Sequence, residues 1–372
     1  MTRGTSYVQN ISDMGTDVFV CPSFCDVHVH FREPGRPDKE TILTGCRAAA
    51  AGGYTTVCPM PNLTPVPDSG ANLEKELELI RRNAFIEVLP YASITVGREG
   101  LEVVDIKGLK GLVAGFSDDG SGVQDDRVMR RAMETAAEEG CIIAAHCEDK
   151  RYGTAPEGEW MQIERDLKLV RETGCAYHVC HISTKESVRL IRDAKSRGVN
   201  VSCETAPHYV LLCDDDRSDD GRFKMNPPLR SPEDREEIRR GLIDGTIDMI
   251  ATDHAPHTAA EKSLGFEGSA FGIVGLETAF PVLYTGLVRT GIISLDRLVD
   301  LMSRSPRRRF GIKASADDYA VFDITHPYRI ASTRFLSKGR STPFDGWEVF
   351  GRCLRTVHNG ETVYEAGNLQ NR

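Results

Sequence analysis

Nowhere in its 372 residues does the chain carry an apolar run approaching the ~18 residues that a bilayer span requires. Its opening stretch, Met1 to Asn10, also lacks the basic-then-apolar pattern of a signal peptide. There is no surplus of positive charge. The 46 basic and 55 acidic residues leave a net charge of −9, which argues against a protein held to a nucleic-acid backbone or a membrane surface. Cysteine is present but unpaired in pattern: the count of eleven is odd, and Cys58, Cys141, Cys180 and Cys203 sit inside apolar strand-like runs. Cys21 and Cys25 are the closest two, without the second pair that a zinc knuckle needs, so all read as reduced core thiols. These absences leave a cytoplasmic protein that acts on a small molecule, with neither nucleic acid nor membrane as partner.

No low-complexity tract or long linker divides the chain, and its length suits one barrel of roughly 250 residues with an appendage. From Cys21 onward a short β-branched apolar run, a polar loop and a helical stretch repeat. The runs are Asp26 to Val29, Tyr54 to Met60, Ile86 to Ile94, Leu112 to Ser117, Cys141 to Ala145, Ala176 to Cys180, Asn200 to Glu204 and Asp248 to Thr252, eight in all. Amphipathic segments lie between them, among them Asn72 to Asn83, Asp126 to Glu139, Glu159 to Glu172, Lys185 to Arg197 and Pro232 to Gly241. Ser183 with Glu186 reads as a capping box, and Ser231 precedes Pro232 at a first helical position. An open doubly wound sheet would alternate in the same way, but eight units favour closure into a (β/α)8 barrel. The expected division is an N-terminal segment over 1–24, the barrel over 25–315 and a C-terminal β appendage over 316–372. The appendage carries the strands Tyr319 to Asp323 and Glu361 to Tyr364 and is expected to pack against the barrel.

In such a barrel the C-terminal strand ends converge on one face, so residues distant in sequence meet there. Strand 1 ends His28-Val29-His30, with both imidazoles on one side within reach of one metal. Strand 4 ends in Asp118-Asp119, strand 5 in His146, strand 6 in His181 and strand 8 in Asp253. Imidazole and carboxylate in that number suit zinc, as one ion or as two sharing a carboxylate. His178 reads as a packed or hydrogen-bonded residue, and His254 as a neighbour of the ligands. His208 and Glu204 stay open, and His326 and His358 in the tail receive no role.

At these positions the sequence resembles the dihydroorotase family. The segment Asp26-Val27-His28-Val29-His30-Phe31-Arg32-Glu33-Pro34-Gly35 is similar to that family's signature, and Ala251-Thr252-Asp253-His254-Ala255-Pro256-His257 to its second one. The likeness continues through Met60-Pro61-Asn62, Phe116 to Gly120, Ala145 to Glu148, Cys180 to Ser183, Met225 to Arg230 and Phe271 to Glu277. It spans about Cys25 to Leu301, with weaker similarity over Ser337 to Tyr364. The resemblance implies that His28 and His30 hold a first zinc, Asp119 bridges, His146 and His181 hold a second, and Asp253 is both ligand and catalytic acid/base. It further implies that Arg32, Asn62, Asn226 and His257, with His30, bind substrate, and that Phe271 and Gly272 make a backbone contact. Two departures stand out. Only some two dozen residues precede strand 1, so the β satellite is expected to be reduced, and the loop from Glu148 to Trp160 is shorter than the family's.

The activity so implied is reversible cyclisation of N-carbamoyl-L-aspartate to (S)-dihydroorotate plus water, in de novo pyrimidine (UMP) biosynthesis. Zinc would supply the hydroxide nucleophile and Asp253 the proton transfers. The reacting molecule bears a carboxylate that does not react, and Arg32 offers it a planar fork; the competing role for Arg32 is a surface ion pair with Glu33. No lysine occurs from Leu112 to Gly120, so a carbamylated lysine cannot bridge at strand 4. The Gly-rich stretch Leu264 to Gly275, with Phe266 and Phe271, is a lid candidate. A homodimer is expected, and aspartate transcarbamoylase is a further partner reading. A hydantoinase, dihydropyrimidinase or allantoinase would use the same metal logic on another ring, and a deaminase would have no use for the Arg-Glu-Pro-Gly run. A metal-bearing scaffold for a pathway partner would not need an intact Asp253.

Overall fold

A computed structural model describes residues 18–367. The stretch read for a signal peptide and the rest of 1–17 lie outside the described residues, as do 368–372. The described residues open on β1 (Val18–Pro22) and turn at Ser23 into the first barrel strand, β2 (Phe24–Val29). Barrel strands β3 (Tyr54–Pro59), β4 (Glu87–Val88), β5 (Tyr91–Ala92), β6 (Gly115–Phe116), β7 (Ile142–Ala145), β8 (Ala176–Val179), β9 (Val201–Thr205) and β10 (Met249–Ile250) follow, all paired in parallel. The run expected over Ile86 to Ile94 is present as two pieces, β4 and β5. Pro90 sits between them and has no N–H for the ladder, yet pairing resumes through Leu89 N to Val57 O at 3.0 Å and Ala114 N to Pro90 O at 2.8 Å. The ring closes where Val29 bridges His254 in parallel and His30 N donates to His254 O at 2.8 Å. This is the (β/α)8 barrel.

The helices between the strands begin and end where local chemistry dictates. Asp126–Glu139 starts at Asp125, whose carboxylate accepts from Arg127 N at 2.7 Å, and stops at Gly140 in the left-handed region. Pro232–Asp244 starts at Ser231 with Pro232 in its first turn and Asp234 completing the capping box. The capping box expected at Ser183 and Glu186 is not formed. Thr184 caps Lys185–Ser196 instead, accepting from Ser187 N at 3.3 Å, while the hydroxyls of Ser183 and Thr184 both donate to the buried carboxylate of Glu159.

Cys25, Val27, Cys58, Met60, Tyr91, Ala144, Cys180, Met249 and Ala251 fill the barrel interior, while a second apolar shell lies between strands and helices. All eleven cysteines are free thiols, ten of them buried. The barrel floor is plugged by Arg307, a buried cation donating to the Thr55 and Thr56 hydroxyls at 3.2 and 3.0 Å. Below it lies an antiparallel sheet in the order β1, β11 (Tyr319–Asp323), β14 (Arg352–His358), β15 (Glu361–Glu365), with β12 (Tyr328–Arg329) and β13 (Glu348–Val349) pairing separately. Phe322 of β11 stacks 4.1 Å from Phe280 and 5.5 Å from Phe24, and Thr356 donates to Ala50 O at 2.6 Å, so the sheet is packed on the barrel. No helix among the described residues is long and apolar enough to cross a membrane.

Candidate metal centre

A register shift in strand 1 turns its pair of imidazoles inward. The register of β2 against β3 shifts between Asp26 and Val29. Before the shift Cys25 and Val27 face the barrel interior; after it Val29 packs in the outer shell, which leaves His28 and His30 on the interior side. Two other site residues sit at strained backbone positions. His181 has φ 33° and Asp253 φ 49°, left-handed values that a non-glycine residue adopts only when its surroundings compel it.

The side chains named from sequence meet at the top of the barrel. Asp119 is the hub: its Oδ1 lies 3.4 Å from His28 Nε2, 3.6 Å from His181 Nε2 and 3.7 Å from His146 Nδ1, and its Oδ2 lies 3.6 Å from His30 Nε2. Asp253 Oδ1 is 3.0 Å from His30 Nε2 and 3.6 Å from His28 Nε2. Burial works against ionising Asp119 and Asp253, yet the imidazoles around them hold both carboxylates well below the ordinary range. Two triads capable of holding an ion share one member, His28–His30–Asp119 and Asp119–His146–His181, with the ligand atoms of each within 4.8 Å of one another. His28 Nε2 and Asp119 Oδ1 are buried and have no hydrogen-bond partner. Buried polar atoms left bare in this way, facing each other, are a donor set that could hold a metal ion.

Behind the triads stands a second layer that was only partly legible from the sequence. Glu204, left open from sequence, accepts from His28 Nδ1 at 2.7 Å and His178 Nε2 at 3.0 Å, which leaves the His28 Nε2 lone pair for the centre. Asn62 accepts from His30 Nδ1 at 2.8 Å and donates to Asp119 Oδ2 at 3.1 Å. Glu148, two residues past His146 and 3.4 Å from its Nε2, leaves Nδ1 free to face His181. Asp26 reaches over to strand 8 and accepts from Thr252 N at 3.1 Å, and Glu159 accepts from Ser183 N and Thr184 N at 2.9 and 3.0 Å, bracing the turn after His181. Asp118 points away, to Ile94 N at 2.8 Å and Thr95 N at 3.1 Å. Alternation along the strand therefore separates the two neighbouring carboxylates. Lys110 pairs with Glu139, exposed and remote from the centre.

Arg32 enters the site without a carboxylate partner among the described residues. Its Nε donates to Pro256 O at 3.3 Å, and Glu33, the alternative partner, instead accepts from Ile42 N at 2.9 Å. Burial lowers the guanidinium to about 10. His257 lies beside it, lowered to about 3 by burial and by the cations Arg32 and Lys39. It takes a hydrogen bond from Lys39 Nζ at 3.1 Å and donates Nε2–H to Phe271 O at 2.7 Å. Asn226 donates to Glu148 Oε2 at 2.8 Å. Gly272 has φ 132°, and a Cβ there would stand 2.6 Å from Ala255 O. Of the remaining histidines, His254 pairs with Glu40 at 3.3 Å, next to the ligands as expected, and His208 is buried and lowered to about 4 by that burial. His326 and His358 pair with Asp323 and Asp318 on the appendage.

A family model described as Dihydro-orotase-like matches residues 18–155. Over a longer stretch, the dihydroorotase of Geobacillus sp. (strain WCH70) is 48% identical across 374 residues, covering 94% of this chain and 88% of that protein. The chain belongs to the dihydroorotase family. The dihydroorotase of Anoxybacillus flavithermus (strain DSM 21510 / WK1) is 49% identical over 94% of this chain and 88% of its own length, and that of Bacillus caldolyticus 48% over 96% and 90%. Among solved structures, the L-hydantoinase (dihydropyrimidinase) from Arthrobacter aurescens matches with a TM-score of 0.85 at 26% identity, covering 93% of this chain and 85% of that one. The dihydropyrimidinase from Brevibacillus agri NCHU1002, with a TM-score of 0.82 at 23% identity over 94% and 85%, shares the fold. As a dihydroorotase-family member, the chain is a cyclic amidohydrolase.

Proposed function

We propose that this chain interconverts N-carbamoyl-L-aspartate and (S)-dihydroorotate at the top of its barrel, and that the two triads hold zinc. The observation that carries the substrate assignment is Arg32: a part-buried guanidinium beside the triads with no ion pair to a carboxylate among the described residues. Dihydroorotate brings a carboxylate of its own; the unsubstituted hydantoin ring does not. The donor set fits the metal, since imidazole and carboxylate are zinc ligands and two of the donors are otherwise unpartnered. When bound, zinc acidifies a water toward neutrality and polarises a carbonyl oxygen.

The chain's own groups do the rest. Arg32 takes the substrate's non-reacting carboxylate in its fork, which places the ring against Asp253. Asp253, held ionised, accepts the proton of the attacking water and passes it to the ring nitrogen as the ring C–N bond breaks. In the closing direction it accepts a proton from the ureido nitrogen as that atom attacks the side-chain carboxylate, and one water leaves. His257 and Asn62 are tied to Phe271 and to the ligands, so a direct substrate contact from either requires it to give up one of those bonds. Asn226 and the Phe271–Gly272 backbone complete the proposed substrate contacts. Purified zinc-loaded protein is expected to close carbamoyl-aspartate at mildly acidic pH and to open dihydroorotate at alkaline pH. Activity on hydantoin or allantoin with none on dihydroorotate would overturn this assignment.

A further inference from the structure

Lys262 is a cation in an unusual place. It belongs to the short helix Ala259–Lys262 that follows His257, it is 8% exposed, and among the described residues no carboxylate forms an ion pair with it. Its ammonium donates instead to three backbone carbonyls, Gly272 O at 2.7 Å, Ala270 O at 2.8 Å and Lys224 O at 3.0 Å. An ammonium has three N–H donors and no acceptor, so the three bonds satisfy it completely. Burying a charge without a counter-ion is costly, and a core-filling role would be served better by an apolar chain. Burial lowers the amine to about 8, with Lys224 adding to the effect and Asp220 opposing it. The three carbonyls belong to irregular backbone; Lys224 O also accepts from Gly272 N, whereas Ala270 O and Gly272 O take their bond from Lys262.

The two segments joined by this tripod both carry proposed substrate contacts, beside those of Asn62 and His257. One is Lys224 to Asn226, whose Asn226 amide reaches Glu148. The other is Ala270 to Gly272, whose Phe271 carbonyl is held by His257. Further ties run alongside: Gly272 N donates to Lys224 O at 3.0 Å, Phe266 N donates to Asp219 Oδ1 at 2.8 Å, and the Lys224 ammonium lies 4.7 Å from both the Phe266 and Phe271 rings. The stretch considered as a lid is thus fastened to the segment after strand 7. Of these ties, Gly272 N–H to Lys224 O joins the same two segments through the backbone, and the Lys262 ammonium adds bonds to Lys224 O, Ala270 O and Gly272 O together.

We infer that Lys262 is a positioning residue for substrate recognition, setting the distance between Asn226 on one side and the Phe271–Gly272 peptide on the other. The inference rests on the functional reading above. It touches binding groups and none of the triad ligands, so its loss is read in KM.

The test is steady-state kinetics of the zinc-loaded protein with dihydroorotate, comparing wild type, Lys262→Met and Lys262→Gln, with metal content and thermal midpoint measured on each. Lys262→Met keeps the length and removes all three donors. KM is expected to rise roughly tenfold or more, the scale of losing hydrogen bonds to a charged group, with kcat within about threefold of wild type. Lys262→Gln, which retains an amide donor, is expected to fall between the two. An unchanged KM in folded, metal-loaded Lys262→Met, or a loss confined to kcat, overturns the proposal. Wild type alone provides a second arm. Hydrogen–deuterium exchange is expected to show dihydroorotate protecting peptides over 224–226 and 270–272 together; protection of only one segment overturns the coupling even where both variants fail to fold. Wild type that turns over neither substrate would refute the functional reading instead, which separates the two failures.

Discussion

Replacing Arg32 by Met should weaken catalysis without weakening the fold, a divergence that few other residues would show. The guanidinium is lowered from 12.5 to about 10, chiefly by burial. At roughly 1.4 kcal/mol per unit, this means the folded state carries a penalty of order 3 kcal/mol for the charge. Because the folded value is the depressed one, that penalty is present at every pH below about 10 and hence under any assay condition. Against it stand a hydrogen bond to Pro256 O, worth about 1 kcal/mol, and a 3.5 Å contact of Nη2 with His257 Nε2, whose N–H is committed to Phe271 O. Lys39 and His257 are held by other partners and remain in place. The thermal midpoint of Arg32→Met is therefore expected at or above that of wild type. Catalysis should move the other way. A fork on a carboxylate contributes about 1.5–3 kcal/mol as charge-assisted hydrogen bonds, so kcat/KM for dihydroorotate should fall roughly 10- to 150-fold. Arg32→Lys keeps the charge but not the planar pair of donors, and should lie nearer the tenfold end. The measurement is steady-state kinetics in both directions alongside thermal melts of the same preparations. Unchanged KM and kcat in Arg32→Met would return Arg32 to a structural role, and a marked fall in its midpoint would show that the burial penalty had been misjudged.

Asp253→Asn retains an oxygen beside His30 but loses the base, so turnover should drop by ~10² or more while metal content, read by elemental analysis, stays within range of wild type. Glu204→Gln weakens the carboxylate that orients His28, and zinc affinity measured by chelator competition should fall about 10- to 100-fold; unaltered affinity would leave Glu204 a packing residue. Asp119→Ala should lose at least one metal, whereas metal uptake by the wild-type apo-protein should be the same with and without bicarbonate, since a carboxylate bridge needs no carbon dioxide. Glu76 has both carboxylate oxygens buried without a partner, and burial holds its carboxyl well above the ordinary 4.5. Its raised folded value means that its share of stability is full below about 4.5 and is lost as pH rises toward that folded value. Wild type should therefore lose more of its thermal midpoint between about pH 5 and about pH 8 than Glu76→Gln does; parallel curves would show that Glu76 meets a partner.

The sequence alone was enough for the barrel and for the positions of its chemistry. Eight apolar runs separated by helical periods leave few ways to bury both faces of every strand, and residues just past the strand ends gather around the barrel mouth, though Asp118 there turns away to Ile94 N and Thr95 N. Strand-end position singled out His28, His30, His146, His181, Asp253 and the pair Asp118-Asp119, the resemblance to the family chose Asp119 from that pair, and the structure brings the six side chains together. What periodicity could not supply was parity and partnership. The register shift after Asp26 depends on how β2 pairs with β3, a property of two strands at once. The N-cap is Thr184, one residue past the Ser183 expected, and Glu159 from a helix earlier in the chain holds the backbone N–H of both residues. Glu204 beneath His28, Asn62 between His30 and Asp119, and Lys262 under three carbonyls are contacts across separations of 176, 32 and 57, and 8 to 38 residues. A one-dimensional pattern reports which side of its own element a residue occupies. Whether a buried polar atom there finds a partner, and which, is settled only when other elements close over it.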